Sequence, residues 1–190
     1  MIKVKNTSLE GFQIIEPSFY EDERGFFLET FQYADYKNHG INDNFIQDNH
    51  SRSSKGVLRG LHFQIKSPQA QIVTVMRGLI YDVGVDLRPS SATFGNWHGV
   101  KLSDKGQRQV YMAPGIAHGF CVLSDFADLH YKVSRFYDPS DECGLIWNDF
   151  SININWPIKN PIIHQRDARY HSFEKLKSLG QLPHIISSEL

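Results

Sequence analysis

The residues of this chain best suited to chemistry stand in Gly56-Val57-Leu58-Arg59-Gly60-Leu61-His62-Phe63-Gln64. His62 carries the side chain whose ordinary pKa lies nearest neutrality. Held at the edge of a run of short strands, it is a ready base for proton transfer. Arg59, three positions earlier, suits phosphate or carbonyl oxygens, and Gly56 and Gly60 permit close approach by a ligand. The plain alternative is a histidine satisfied in a barrel wall, and for a histidine picked at random that alternative wins. A base that inverts a carbon also needs an orienting partner and an acid on the other face. In Asp128-Leu129-His130-Tyr131-Lys132-Val133, strand alternation puts Leu129, Tyr131 and Val133 on one face, so Tyr131 points to the apolar side. A core tyrosine with its hydroxyl bonded competes with a catalytic one, and spacing alone favours it. Asp167, in His164-Gln165-Arg166-Asp167, can orient an imidazole from a distant part of the chain. Alone it reads as a surface aspartate.

The elements that must position these groups are mostly strands. Phe26 to Phe31 follows the turn Glu21-Asp22-Glu23-Arg24-Gly25. Gln71 to Met76 and Leu79 to Leu87 flank Arg77-Gly78 and predict a hairpin. Trp97 to Leu102, Gln109 to Ala113, His118 to Leu123 and Asp128 to Val133 follow, separated by Pro-Ser, Ser-Asp-Lys-Gly and Pro-Gly turn signals. With no helical pattern between them, they predict an all-β antiparallel sandwich or barrel rather than an α/β fold. Two short helices are expected, Tyr33 to His39 and Ser172 to Leu179. The second has a serine N-cap, Glu174 in its first turn, and Phe173 and Leu176 to dock it.

The 190 residues predict one domain over 1–190, with a core that needs no staples. A net charge of -1 gives no argument for nucleic acid or membrane binding. No apolar run approaches membrane-spanning length, and the N-terminus has no apolar leader. The two cysteines, Cys121 and Cys143, make neither a disulfide framework nor a zinc motif. A buried thiol at Cys121 and an incidental one at Cys143 are expected, in a reducing cytoplasm.

A glycine, five residues and His-x-Gln, from Gly56 to Gln64, resembles the first conserved segment of cupin barrels, and Pro114-Gly115-Ile116-Ala117-His118 resembles the second. In metal-binding cupins these segments supply three histidines and a carboxylate. Here Gln64 replaces one histidine, and no glutamate lies between Gln64 and Gly78. Two histidines and a glutamine make a poor transition-metal set, so no metal is expected.

From about Glu16 to about Pro183 the chain resembles the dTDP-4-dehydrorhamnose 3,5-epimerase family. The resemblance rests on Asp22 to Glu29, Gln47-Asp48-Asn49-His50-Ser51, Gly56 to Gln64, Tyr81 to Arg88, Thr93-Phe94-Gly95, Ala117 to Phe120, Tyr131-Lys132 and Ser151 to Pro157. It implies a cupin-type jelly roll and a dTDP-4-keto-6-deoxy-glucose substrate whose ketone acidifies the protons on C3 and C5. It further implies His62 as base, Asp167 as its orienting partner, Tyr131 as acid, and no cofactor. Arg24, Glu29, Gln47, Asn49, Arg59, His118, Glu142 and Arg166 fall at substrate-binding positions of the family, with Tyr137 and Phe27 as candidates for stacking on the base. Members are homodimers whose N-terminal segments help build the neighbouring site, and Phe26 and Phe27 beside Arg24 suit such a shared edge. A 3-epimerase and a catalytically weak nucleotide-sugar-binding cupin are the alternatives.

The chain departs from this pattern at Gln71, where the family carries a lysine near the C4 oxygen, and at Cys143, where an arginine is common. A glutamine amide still donates a hydrogen bond but brings no charge, and loss of one strong oxyanion donor can cost ~100-fold or more in rate. Three outcomes follow: Gln71 suffices, Lys66 reaches in from the preceding loop, or the protein binds and catalyses little.

Overall fold

The structure is a computed structural model describing residues 1–185. In chain order its elements are strands β1 (Ile2–Asn6), β2 (Phe12–Pro17), β3 (Phe19–Asp22) and β4 (Gly25–Leu28), helix α1 (Tyr33–Asn38), then strands β5 (Gln47–Ser54), β6 (Val57–Gln64), β7 (Gln71–Arg77), β8 (Leu79–Asp86), β9 (Trp97–Ser103), β10 (Gln109–Met112), β11 (Ile116–Val122), β12 (Phe126–Val133), β13 (Glu142–Gly144) and β14 (Ile162–Ile163), and helix α2 (Phe173–Leu179). One sheet runs β1-β2-β10-β7-β12-β5 and faces a second of order β13-β6-β11-β8-β9. Neighbours pair antiparallel, except that β14 joins β6 in parallel. This is the all-β antiparallel sandwich that the strand pattern predicts.

The core fills the space between the sheets with Phe12, Val73, Val75, Ile80, Val110, Met112, Phe120 and Leu129. Both outer faces are covered as well. Tyr36 and Ile41 of the α1 segment pack with Ile15, Ile72 and Tyr111 outside the first sheet. Phe173 and Leu176 of α2, with Ile152, cover Leu61, Phe63, Val83 and Val85 of the second. Covering on both faces explains why Ile72-Val73-Thr74-Val75 is an unbroken apolar-rich run rather than an alternating one. Both helices start where the sequence predicts. Ser172 Oγ accepts the Lys175 amide at 3.3 Å, and Asp149 Oδ2 accepts that of Phe173 at 2.8 Å. The strand expected over Phe26 to Phe31 ends at Leu28.

The expected hairpin across Arg77-Gly78 is not formed. β7 pairs with β10 and β12, while β8 pairs with β9 and β11 in the opposite sheet. Arg77-Gly78 is therefore a crossover between layers. Asp104 Oδ2 accepts the Gly78 amide at 3.0 Å, and Ser124 Oγ accepts that of Leu79 at 2.8 Å. Turn residues specify a reversal, but they do not specify which strands pair after it.

Candidate active site

Arg59 and His62 lie three apart on β6, so a regular strand would send them to opposite faces. A β-bulge brings them together. His62 pairs with His118 and Arg59 with Phe120, so Gly60 and Leu61 together oppose the single residue Gly119. Gly60 adopts φ +115°, and a Cβ there would lie 2.6 Å from both the Gly119 Cα and the His118 carbonyl oxygen. This corrects one expectation. Gly60 permits the approach of β11, not of a ligand, and Gly56, at φ +82°, serves the turn before β6.

His62 faces the space between the sheets with its side chain 28% exposed. Its Nε2 lies 3.0 Å from Asp167 Oδ1. Asp167 is buried, not a surface group, and its Oδ2 accepts the Gly60 amide at 3.1 Å. Burial alone would raise the Asp167 carboxyl. Hydrogen bonds from His62, the Gly60 amide and Arg166 outweigh it and hold the group below the usual carboxylate range. The dyad links residues 105 positions apart, and the short helical turn Asp167–Arg169 delivers the carboxylate. Arg166 Nε donates to the same Asp167 oxygen at 3.3 Å, and Arg166 also pairs with Glu142, which accepts the Tyr137 hydroxyl at 2.8 Å.

The facing wall comes from the first sheet. Tyr131 pairs with Asn49 on one side and Val73 on the other, and Val133 with Gln47 and Gln71. Alternation therefore sets Gln47, Asn49, Tyr131 and Gln71 on one inward face. Tyr131 packs against the inter-sheet core, as expected of its apolar face. Burial pushes its phenol above the ordinary tyrosine value while Arg59 pulls it back. The Arg59 guanidinium is steadied by its Nε bond to Ser53 Oγ at 2.9 Å.

Together these walls enclose a cavity of about 310 Å³ lined by Gln47, Asn49, Arg59, His62, Gln71, His118, Tyr131, Tyr137, Glu142 and Arg166, with Ser51, Gln69 and Phe120 added. Ten of the expected site residues thus converge, with Asp167 behind His62. Arg24, Phe27 and Glu29 do not. They stand on the exposed β3–β4 hairpin and the residue after it, where Phe27 is 70% exposed and Arg24 pairs locally with Asp22. Lys66 does not line the cavity either. Its backbone amide is held by the buried Asp141 carboxylate, at 2.9 Å from Oδ1 and 3.1 Å from Oδ2, and its side chain is exposed. Gln64, where a metal cupin places a histidine, clamps two loops instead: its Nε2 donates to the Ser67 carbonyl at 2.8 Å and its Oε1 accepts the Asp138 amide at 2.7 Å.

Sequence reasoning missed a second pair. His118, directly across from His62, contacts the fully buried Asp82 at 2.8 Å. The only available signal was strand spacing, Asp82 and His118 both falling on inward positions of neighbouring β8 and β11.

Comparisons with known proteins agree with this geometry. A sequence model described as dTDP-4-dehydrorhamnose 3,5-epimerase matches residues 6–175. An enzyme of that description from Methanothermobacter thermautotrophicus is 47% identical over 167 residues, covering 86% of this chain and 90% of its own. A dTDP-4-dehydrorhamnose 3-epimerase from Streptomyces niveus is 38% identical over 96% of this chain and 89% of its own. The solved dTDP-6-deoxy-D-glucose-3,5-epimerase of Legionella pneumophila, in complex with dTDP-4-keto-L-rhamnose, superposes with a TM-score of 0.92 at 42% identity, covering 98% of this chain and 100% of that one. With a match that spans most of its length and a fold shared throughout, the chain belongs to the dTDP-4-dehydrorhamnose 3,5-epimerase family.

Proposed function

We propose that the chain converts dTDP-4-keto-6-deoxy-D-glucose to dTDP-4-keto-L-rhamnose by inverting C3 and C5, in deoxysugar synthesis. The observation that carries this reading is the His62–Asp167 pair on one wall of a cavity whose facing wall presents Tyr131. The C4 ketone acidifies the adjacent C–H bonds. His62 takes the proton, the bonding pair moves into an enolate, and the Tyr131 hydroxyl returns a proton to carbon from the opposite face. Asp167 holds the imidazole and balances the charge it gains. The substrate's ketone is the electron sink, so the chemistry calls for no cofactor. Gln71 offers an amide donor to the enolate oxygen.

Arg59 and Arg166 suit the diphosphate. Gln47, Asn49, His118 and Glu142 supply polar contacts for the nucleoside and sugar, and Tyr137 at the rim suits stacking on thymine. The functional unit is a homodimer in which the β3–β4 hairpin carries Arg24, Phe27 and Glu29 into the partner's cavity. The exposure of Phe19, Tyr20, Phe26 and Phe27 on that hairpin supports this. Free thiols at Cys121 and Cys143 suit a reducing cytoplasm, and no helix among the described residues is long and apolar enough to cross a membrane.

NMR of the product formed from dTDP-4-keto-6-deoxy-D-glucose tests the reading. Inversion at both carbons is expected. Inversion at C3 alone would make the chain a 3-epimerase. Substrate that binds and is returned unchanged would leave it a nucleotide-sugar binder.

A further inference from the structure

Behind His62 lies a contact that no substrate-facing role explains. Gly144 is the register partner of His62 across β13 and β6. Its missing side chain leaves a niche beside the imidazole, and the Tyr170 ring fills it. A Cβ on Gly144 would lie 2.2 Å from two carbons of that ring. The Tyr170 and His62 rings meet at a centroid separation of 5.7 Å and an interplanar angle of 78°, an edge-to-face arrangement. The Arg166 guanidinium sits 5.9 Å from the same ring. Tyr170 does not line the cavity. Its hydroxyl is buried without a hydrogen-bond partner among the described residues. The contacts Tyr170 makes toward His62 and Arg166 are therefore those of its ring. Tyr170 is fixed in turn by its chain neighbours, since His171 bridges to Leu145 and its carbonyl accepts the Ile146 amide at 2.9 Å.

We propose that Tyr170 is a positioning residue for the base: seated in the niche at Gly144, its ring fixes the plane of the His62 imidazole. This rests on the proposed role of His62. Asp167 Oδ1, at 3.0 Å, and Arg166 Nη2, at 3.3 Å, both meet His62 at the same ring nitrogen, Nε2, and contacts at one nitrogen leave the ring free to rock about it. The Tyr170 ring, packed beside the imidazole and outside the cavity lining, removes that freedom. Small misplacement of a reacting group is costly, on the order of 100-fold in rate per ångström.

The test measures deuterium uptake at C3 of saturating substrate in D2O, alongside calorimetric affinity for dTDP and a melting curve. Tyr170→Ala is expected to slow uptake about 10- to 100-fold with dTDP affinity within about 3-fold of the parent. Tyr170→Phe, which keeps the ring, is expected to restore uptake to within about 3-fold. Gly144→Val with Tyr170→Gly refills the niche from the strand side and is expected to recover part of the loss. Uptake by Tyr170→Ala equal to the parent's overturns the inference. So does a loss that merely follows lost dTDP affinity, or a Phe variant as slow as the Ala variant. If Tyr170→Ala does not fold, the comparison of parent, Phe and refilled variants decides the matter on the same terms. A parent protein that takes up no deuterium would instead refute the reading of His62 on which the inference rests.

Discussion

At the scale of single residues, the account divides the two halves of an inversion between His62 and Tyr131, so the halves should separate by mutation. Tyr131→Phe removes the returned proton but leaves the abstracting base. It is expected to lower inverted product about 100- to 10,000-fold, while deuterium still enters C3 because solvent-exchanged His62 can return a proton to the face it came from. Comparison of product formation with label uptake checks this, and equal loss of both would assign Tyr131 a binding role instead. The alkaline limb that Tyr131 contributes should lie above the ordinary tyrosine value of about 10, because burial favours the neutral phenol and Arg59 only partly offsets it. Gln71 stands where the family resemblance implies a lysine. It lines the cavity as a neutral donor, and Lys66, the candidate for replacing the charge, is not in the cavity lining: Asp141 holds its backbone amide and its side chain is exposed.

At the scale of elements, the site depends on one irregularity in β6. The bulge at Gly60 turns Arg59 and His62 to the same face, and Gly60 also donates its amide to Asp167. Gly60→Ala places a Cβ against β11 backbone in a conformation that L-residues avoid, at a cost of about 1–3 kcal/mol from the backbone alone. The expected result is a lowered melting temperature together with loss of turnover beyond what the unfolded fraction explains. An active, equally stable Gly60→Ala protein would show that the bulge does not set the site. A glycine inside a strand pattern is a recognisable sign of such a bulge, but in sequence alone Gly60 equally suits close approach by a ligand. Other features were legible for sound reasons. Alternation in Leu129-His130-Tyr131-Lys132-Val133 is local and fixes the inward face of Tyr131, and the Ser172 cap is a contact within one helical turn. The crossover at Arg77-Gly78 is not legible in the local sequence, because sheet membership depends on partners far along the chain. For the same reason the burial of Asp167 could not be seen in its neighbours, and its role came only from family resemblance.

At the scale of the whole molecule, the proposed homodimer would complete each site with a segment of the partner chain. The cavity is lined by His62, Tyr131 and most of the expected polar residues, while Arg24, Phe27 and Glu29 project on a hairpin that packs little against its own sandwich. If each arm completes the partner's cavity, two inactive variants should rescue one another. Arg24→Ala mixed with His62→Ala, after subunit exchange, is expected to regain about a quarter of parent activity, since half the dimers are mixed and each holds one intact site. No regain, with exchange verified by mass, would place Arg24 in its own chain's site. The central claim is that His62 abstracts the protons beside the ketone, and the most direct measurement is NMR of deuterium entering dTDP-4-keto-6-deoxy-D-glucose in D2O. The account predicts label at both C3 and C5 with the parent protein and none with His62→Ala that still binds dTDP. Label entering the His62→Ala reaction at the parent rate would contradict it.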